Sequence, residues 1–131
     1  MVSALYAVLG TLLLLKLSVD VVRIRVQYHV AYGDGGFSEL QSAIRIHGNA
    51  VEYIPIGLIL LLFFEMDGAA YWMVHACGSI LLIGRIMHYY GYRHRLFPWR
   101  RAGMACTWLS LVLMVLGNLW FMPWELVFSL R

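Results

Sequence analysis

Arg45, Asn49 and Glu52 stand at helical spacing in a stretch that runs through an apolar segment to Pro55. At 100° per residue they fall at about 0°, 40° and −20°, one polar stripe, whereas His47 points almost the opposite way. A guanidinium offers a fixed fork of donors to a carboxylate, and a carboxylate accepts from an ammonium group. A second stripe, Arg85, His88, Tyr89 and Tyr92, lies within about 60° on another apolar segment. Taken at about 1.5 Å per residue, Glu52 lies about 16 Å from Gln41 and Arg85 about 10 Å from Tyr92, so the two stripes reach comparable depths and a Glu52–Arg85 pair is expected. Such a pair neutralises two charges and leaves Arg23, Arg45 and Arg101 at the same end, a surplus of cation that implies an anionic ligand.

These residues need helices to hold them in an apolar medium. Of the 131 residues, 62% are hydrophobic and 13% charged, against about a quarter charged in soluble domains. The chain is read as an integral membrane protein, all-α, with one domain over residues 1–131. About 20 apolar residues cross a bilayer, which places spans at residues 2–22, 43–64, 70–90 and 102–122. The joining segments are short and rich in glycine, proline or charge, so the spans form an up-down four-helix bundle. An ionisable group at the centre of such a helix costs roughly 2.5 to 3.5 kcal/mol on insertion scales. Both stripes are therefore functional-site candidates.

Arg23, Arg25 and Arg45 flank the first loop and Arg93, Arg95, Arg100 and Arg101 the third, while the second carries Glu65 and Asp67. The positive-inside rule then puts loops one and three in the cytoplasm and both termini on the other side. Trp72, Trp120 and Trp124 would form the aromatic belt on that other side, and Trp99 would lie at the cytoplasmic boundary. Residues 1–15 lack a charged leader and a cleavage site, so an uncleaved first span is expected. The net charge of +3 is spent at helix ends rather than on a basic face, which argues against nucleic acid. Cys77 and Cys106 form no C-x-x-C pair, and the histidines show no metal-binding spacing. His29, His75 and His94 read as isolated or exposed. Lys16 and Asp20, four residues apart, read as a structural pair. Ala102, Cys106 and Ser110 read as a close-packing face of small residues.

With these residues assembled, the chain resembles the MAPEG family, membrane-associated proteins of eicosanoid and glutathione metabolism, and looks like a small bacterial member over essentially its whole length. The pattern R-x-x-x-N-x-x-E-x-x-P on Arg45, Asn49, Glu52 and Pro55 carries the likeness, with Arg85, Tyr92 and the V-R-I-R of residues 22–25. The resemblance implies an inner-membrane homotrimer with glutathione held between subunits near the cytoplasmic face. By family correspondence, Arg23, Arg45, His47, Asn49, Glu52, Tyr53, Arg85, His88 and Tyr92 would bind glutathione. Arg101, with Arg100 beside it, matches the arginine that approaches the glutathione sulfur. No metal is implied. His47 and His88 depart from the leukotriene synthase type, which has Gln and Tyr there. Ala102 departs from the prostaglandin E synthase type, which has Ser.

The chemistry implied is that of an activated thiol. A free thiol with a pKa near 8.5 is mostly protonated at neutral pH, and a neighbouring guanidinium favours the thiolate. With glutathione as substrate or cosubstrate and Arg101 as activator, the expected activity is a transferase or peroxidase acting on small lipophilic electrophiles that arrive through the bilayer. A non-catalytic protein that binds lipid or glutathione is the alternative. A transporter fits poorly, because the spans are uninterrupted and no inverted repeat is present.

Overall fold

The computed structural model describes residues 1–129 as a bundle of long helices, α1 (Ser3–Tyr28), α2 (Ser38–Met66), α3 (Tyr71–Arg93) and α4 (Phe97–Phe121), followed by a single turn, α5 (Trp124–Val127). No strand occurs among the described residues. The helices overrun the expected spans, α1 by six residues beyond Val22 and α2 by five before Ala43. Hydropathy reports the thickness of lipid, whereas the backbone ladder continues into water wherever the local residues allow it.

By length and composition α1, α2 and α4 can each cross a membrane. α3 has 23 residues, about 35 Å of helix at 1.5 Å per residue and long enough to do so, but it is less apolar. The reason lies in its position. α3 touches α1, α2 and α4 and turns Arg85 and His88 into the bundle, where both are buried. Its polar residues are thus screened by other helices. Leu5, Leu12, Leu15 and Val19 of α1, by contrast, are exposed on the outside, as contact with bilayer requires.

α3 and α4 share the largest interface in the bundle. A Cβ added at Gly84 would lie 2.9 Å from both the Gly103 carbonyl oxygen and the Thr107 nitrogen, so the two backbones meet with no side chain between them. The expected face of Ala102, Cys106 and Ser110 is displaced by one residue. The buried row of α4 is Gly103, Thr107, Ser110, Met114 and Asn118, with Cys106 at its edge against Gly84 and Ala102 only half-buried.

The end holding the α2–α3 turn is closed by paired polar groups. Glu65 accepts from the backbone N–H groups of Val2 and Ser3 at 2.7 and 3.1 Å and from the Ser3 hydroxyl at 3.1 Å. It thereby caps the start of α1, whose first N–H groups have no partner within the helix. Tyr6 Oη lies 2.6 Å from His75 Nδ1 and 3.2 Å from Ser79 Oγ, so His75 is tied to α1 rather than isolated. Asn118 donates to the Leu60 carbonyl at 3.0 Å, joining α4 to α2. Trp72, Trp120 and Trp124 are exposed at this same end, and Trp99 at the other.

At the opposite end, His29 closes α1 in the left-handed region at φ 56°. Arg25 then pins the first loop by donating to the Gly33 carbonyl at 2.8 Å. Gly35, at φ 59°, has the Val30 side chain where a Cβ would go, 2.7 Å away, and only glycine satisfies both conditions.

Candidate functional site

Arg85 is the largest fully buried side chain, with 2% of its surface exposed. It extends from α3 into the seam with α2 and α4. Nη2 donates to Asn49 Oδ1 of α2 at 2.5 Å. Nη1 lies 3.5 Å from both Thr107 Oγ1 and Met104 Sδ of α4. His88 Nδ1, one turn along α3, is 3.4 Å from Nη2, and the guanidinium carbon stands 5.6 Å from the centre of the Tyr53 ring. Arg85 Nε, also buried, has no hydrogen-bond partner. A buried donor without a partner costs about 1 to 3 kcal/mol, more for a charged group.

The expected Glu52–Arg85 pair is not formed. Asn49 takes the guanidinium, while Glu52, three residues further along α2, is exposed on the outside of the bundle and forms no ion pair among the described residues. Three residues amount to about 4.5 Å of helix, a distance the depth argument could not resolve. The buried cation therefore has a carboxamide, a hydroxyl and a histidine about it, but no carboxylate among the described residues bonded to it.

Towards the basic end, His88 and Tyr92 lie with ring centres 5.7 Å apart, and the Arg100 guanidinium covers the Tyr92 ring at 4.3 Å. A cleft of about 290 Å³ opens here, lined by Ser42, Gly91, Tyr92, Arg95, Phe97 and Arg100. Gly91 lets the start of α4 approach α3, since a Cβ there would meet the backbone of Trp99 and Arg100.

The structure thus gathers Asn49, Tyr53, Arg85, His88 and Tyr92 of the expected ligands. It leaves the others apart. Arg45 is exposed and His47 half-buried on α2. Arg23 is 3.7 Å from Asp20, which also holds Lys16 at 2.6 Å as the spacing predicted. Arg101 lies on an outward face with Phe97, Pro98, Ala102 and Ala105. Thr107 and Met104 were not singled out from the sequence. A polar residue one turn beyond Gly103 was the available signal for Thr107; Met104 carried none.

A bundle of lipid-length helices with a buried arginine near one end defines a membrane protein with an inter-helix polar site. The profile of the MAPEG family matches residues 3–120, and the chain belongs to that family. It is 76% identical over 131 residues to "Inner membrane protein YecN" of Escherichia coli, with all of each chain covered, in strain K12 and again in strain CFT073. It is also 29% identical over 127 residues to "Uncharacterized protein sll1147" of Synechocystis, covering 94% of this chain and 89% of the relative. The protein is an inner-membrane protein.

Proposed function

We propose that this protein binds glutathione beside Arg85 and uses its thiolate against lipophilic electrophiles, as a transferase or as a lipid-hydroperoxide reductase. One observation carries the reading: Arg85 is buried with an unsatisfied Nε and no carboxylate bonded to it among the described residues. Burying a guanidinium unpaired is costly, and an anionic ligand removes that cost. Glutathione supplies two carboxylates and an ammonium group, which Arg85, Arg45 and Glu52 would receive. In a transfer, the sulfur–carbon bond forms as the leaving group departs. In a peroxidase cycle, the sulfur takes the distal oxygen, the alcohol leaves, and a second glutathione releases water and the disulfide.

The thiolate's cationic neighbour is one of the two arginines that open α4. Family correspondence points to Arg101. Arg100 is favoured by position within one subunit, since it stacks on Tyr92 while Arg101 faces outward. Replacing the activator by Ala leaves glutathione affinity nearly unchanged and raises the pKa of the bound thiol. A pH titration of thiolate absorbance at saturating glutathione, run on Arg100→Ala and Arg101→Ala, assigns the role. If neither variant shifts the curve, the protein binds without activating, and the non-catalytic alternative takes over. If calorimetry gives no heat with folded protein at millimolar glutathione, the proposal is lost.

The site is proposed to be shared in a homotrimer. Arg45 and Glu52 are exposed on α2 and His47 is half-exposed, and such groups do not face hydrocarbon without a protein partner. Native mass spectrometry reporting trimers, and recovery of activity when His47→Ala and Arg85→Ala subunits are mixed, are the expected results. Monomers alone would end this part of the proposal.

A further inference from the structure

A second cleft, of about 380 Å³, opens between α1, α2 and α3 at the same end of the bundle. Leu17 and Ile46 contribute its apolar surface, and Asp20, Glu39, Arg93 and Arg95 its charge. Its size is within the range of small-molecule sites. It is not the Arg85 site, because neither Arg85, Asn49 nor His88 lines it. It adjoins the cleft beside Tyr92, with which it shares Ser42 and Arg95, while Glu39 and Arg93 line this cleft alone.

Asp20 is held by Lys16 and Arg23, and these are the only ion pairs among the described residues. Glu39 accepts from the Tyr28 hydroxyl at 2.9 Å. Arg95 donates to Ser38 Oγ at 3.3 Å, and Arg93 has no hydrogen-bond or ion-pair partner among the described residues. One carboxylate and two guanidiniums therefore border a single space without closing a pair across it. Arg95 also adopts φ 57°, a left-handed conformation that costs a non-glycine residue on the order of 1 kcal/mol.

Unpaired charges of both signs around one cavity fit a ligand that carries both signs itself. Two guanidiniums match a phosphate, and Glu39 matches an ammonium group. The source of such a ligand follows from the seam between α1 and α3, the smallest helix–helix interface in the bundle. It is spanned near the cleft by Lys16, which donates to the Tyr89 hydroxyl at 2.9 Å. Val19 of α1, next to Asp20, and Ile86 and Tyr90 of α3, flanking Tyr89, are exposed and leave apolar surface beside the cleft for acyl chains. We infer that the cleft binds a phosphate ester bearing a primary ammonium group, presented as the headgroup of an ethanolamine-type phospholipid.

The test uses the full chain in detergent with equal amounts of ethanolamine, choline and glycerol phospholipids, and native mass spectrometry to count the lipids retained. The ethanolamine lipid is retained over the glycerol lipid by about tenfold, the worth of one charged contact. Arg93→Ala lowers retention of all three by about tenfold, because it removes a phosphate contact. Glu39→Gln abolishes the preference for the amine, lowering retention of the ethanolamine lipid to that of the glycerol lipid and leaving the glycerol lipid unchanged. Both side chains are exposed, and thermal unfolding confirms that the variants fold. Equal retention of all headgroups by the wild type, or wild-type behaviour in both variants, overturns the inference. Displacement of the lipid by an equal concentration of soluble phosphoethanolamine overturns the lipid source, and displacement by glutathione overturns the separation of the two sites. Unchanged glutathione heat in both variants supports that separation, whatever becomes of the thiol chemistry.

Discussion

The two ends of the bundle spend their polar residues differently. At the end with the α2–α3 turn, Glu65, Tyr6, His75, Ser79 and Asn118 have partners on another helix. At the other end Arg85 Nε has none, Arg93 has none among the described residues, and two clefts stand open. Polar groups in a membrane bundle thus fall into two kinds. Those that hold helices together are satisfied within the fold. Those left unsatisfied are the ones for which a ligand is proposed.

The largest effect on stability is expected where the network is closed. Glu65→Ala removes three hydrogen bonds to the start of α1 and should cost about 3 kcal/mol, the sum of a lost cap and its charge assistance. Thermal unfolding in detergent measures it, with glutathione affinity unchanged. A variant that kept its stability and lost affinity would break the contrast between the ends.

Arg85→Met should do the reverse. An apolar side chain of similar length in place of a buried, incompletely paired cation is often neutral or stabilising. Affinity should fall by about 1.5 to 3 kcal/mol, the worth of a charged hydrogen bond. Calorimetry and unfolding on the same preparation separate the two outcomes, and a severe loss of stability would move Arg85 to the structural kind.

Smaller changes sharpen the comparison. Tyr6→Phe strips the hydroxyl that meets His75 and Ser79 and should lower stability by about 1 kcal/mol. Tyr28→Phe, at the open end, removes only an exposed bond to Glu39 and should cost about 0.5 kcal/mol or less. If the two losses proved equal in unfolding experiments, the ends would not differ in the way their hydrogen bonds indicate.

Much of this was legible in the residues themselves. Hydropathy located all four long helices, and of the stripe read on α2 Asn49 meets Arg85 while Arg45 and Glu52 are exposed. Periodicity gives a face but not a crossing angle, so it could not choose between Asn49 and Glu52 as the partner of Arg85. The approach of α3 to α4 depends on Gly84 and Gly103 meeting backbone to backbone, and neither glycine carries a chemical signal in isolation. Glu65 read as an acidic loop residue, because the N–H groups it serves lie 62 and 63 positions earlier. Contacts of that span are set by how helices return, which composition does not record.

That same span orders events in time. While the chain is being made, the first turn of α1 has exposed donors and no acceptor to receive them. The acceptor is synthesised only after the whole of α1 and almost all of α2 have followed. The hairpin of these two helices must therefore close before the start of the first is fixed. Until then the opening turn of α1 has only its surroundings to accept from its first N–H groups, and the side chain that finally serves them sits near the end of the very next helix.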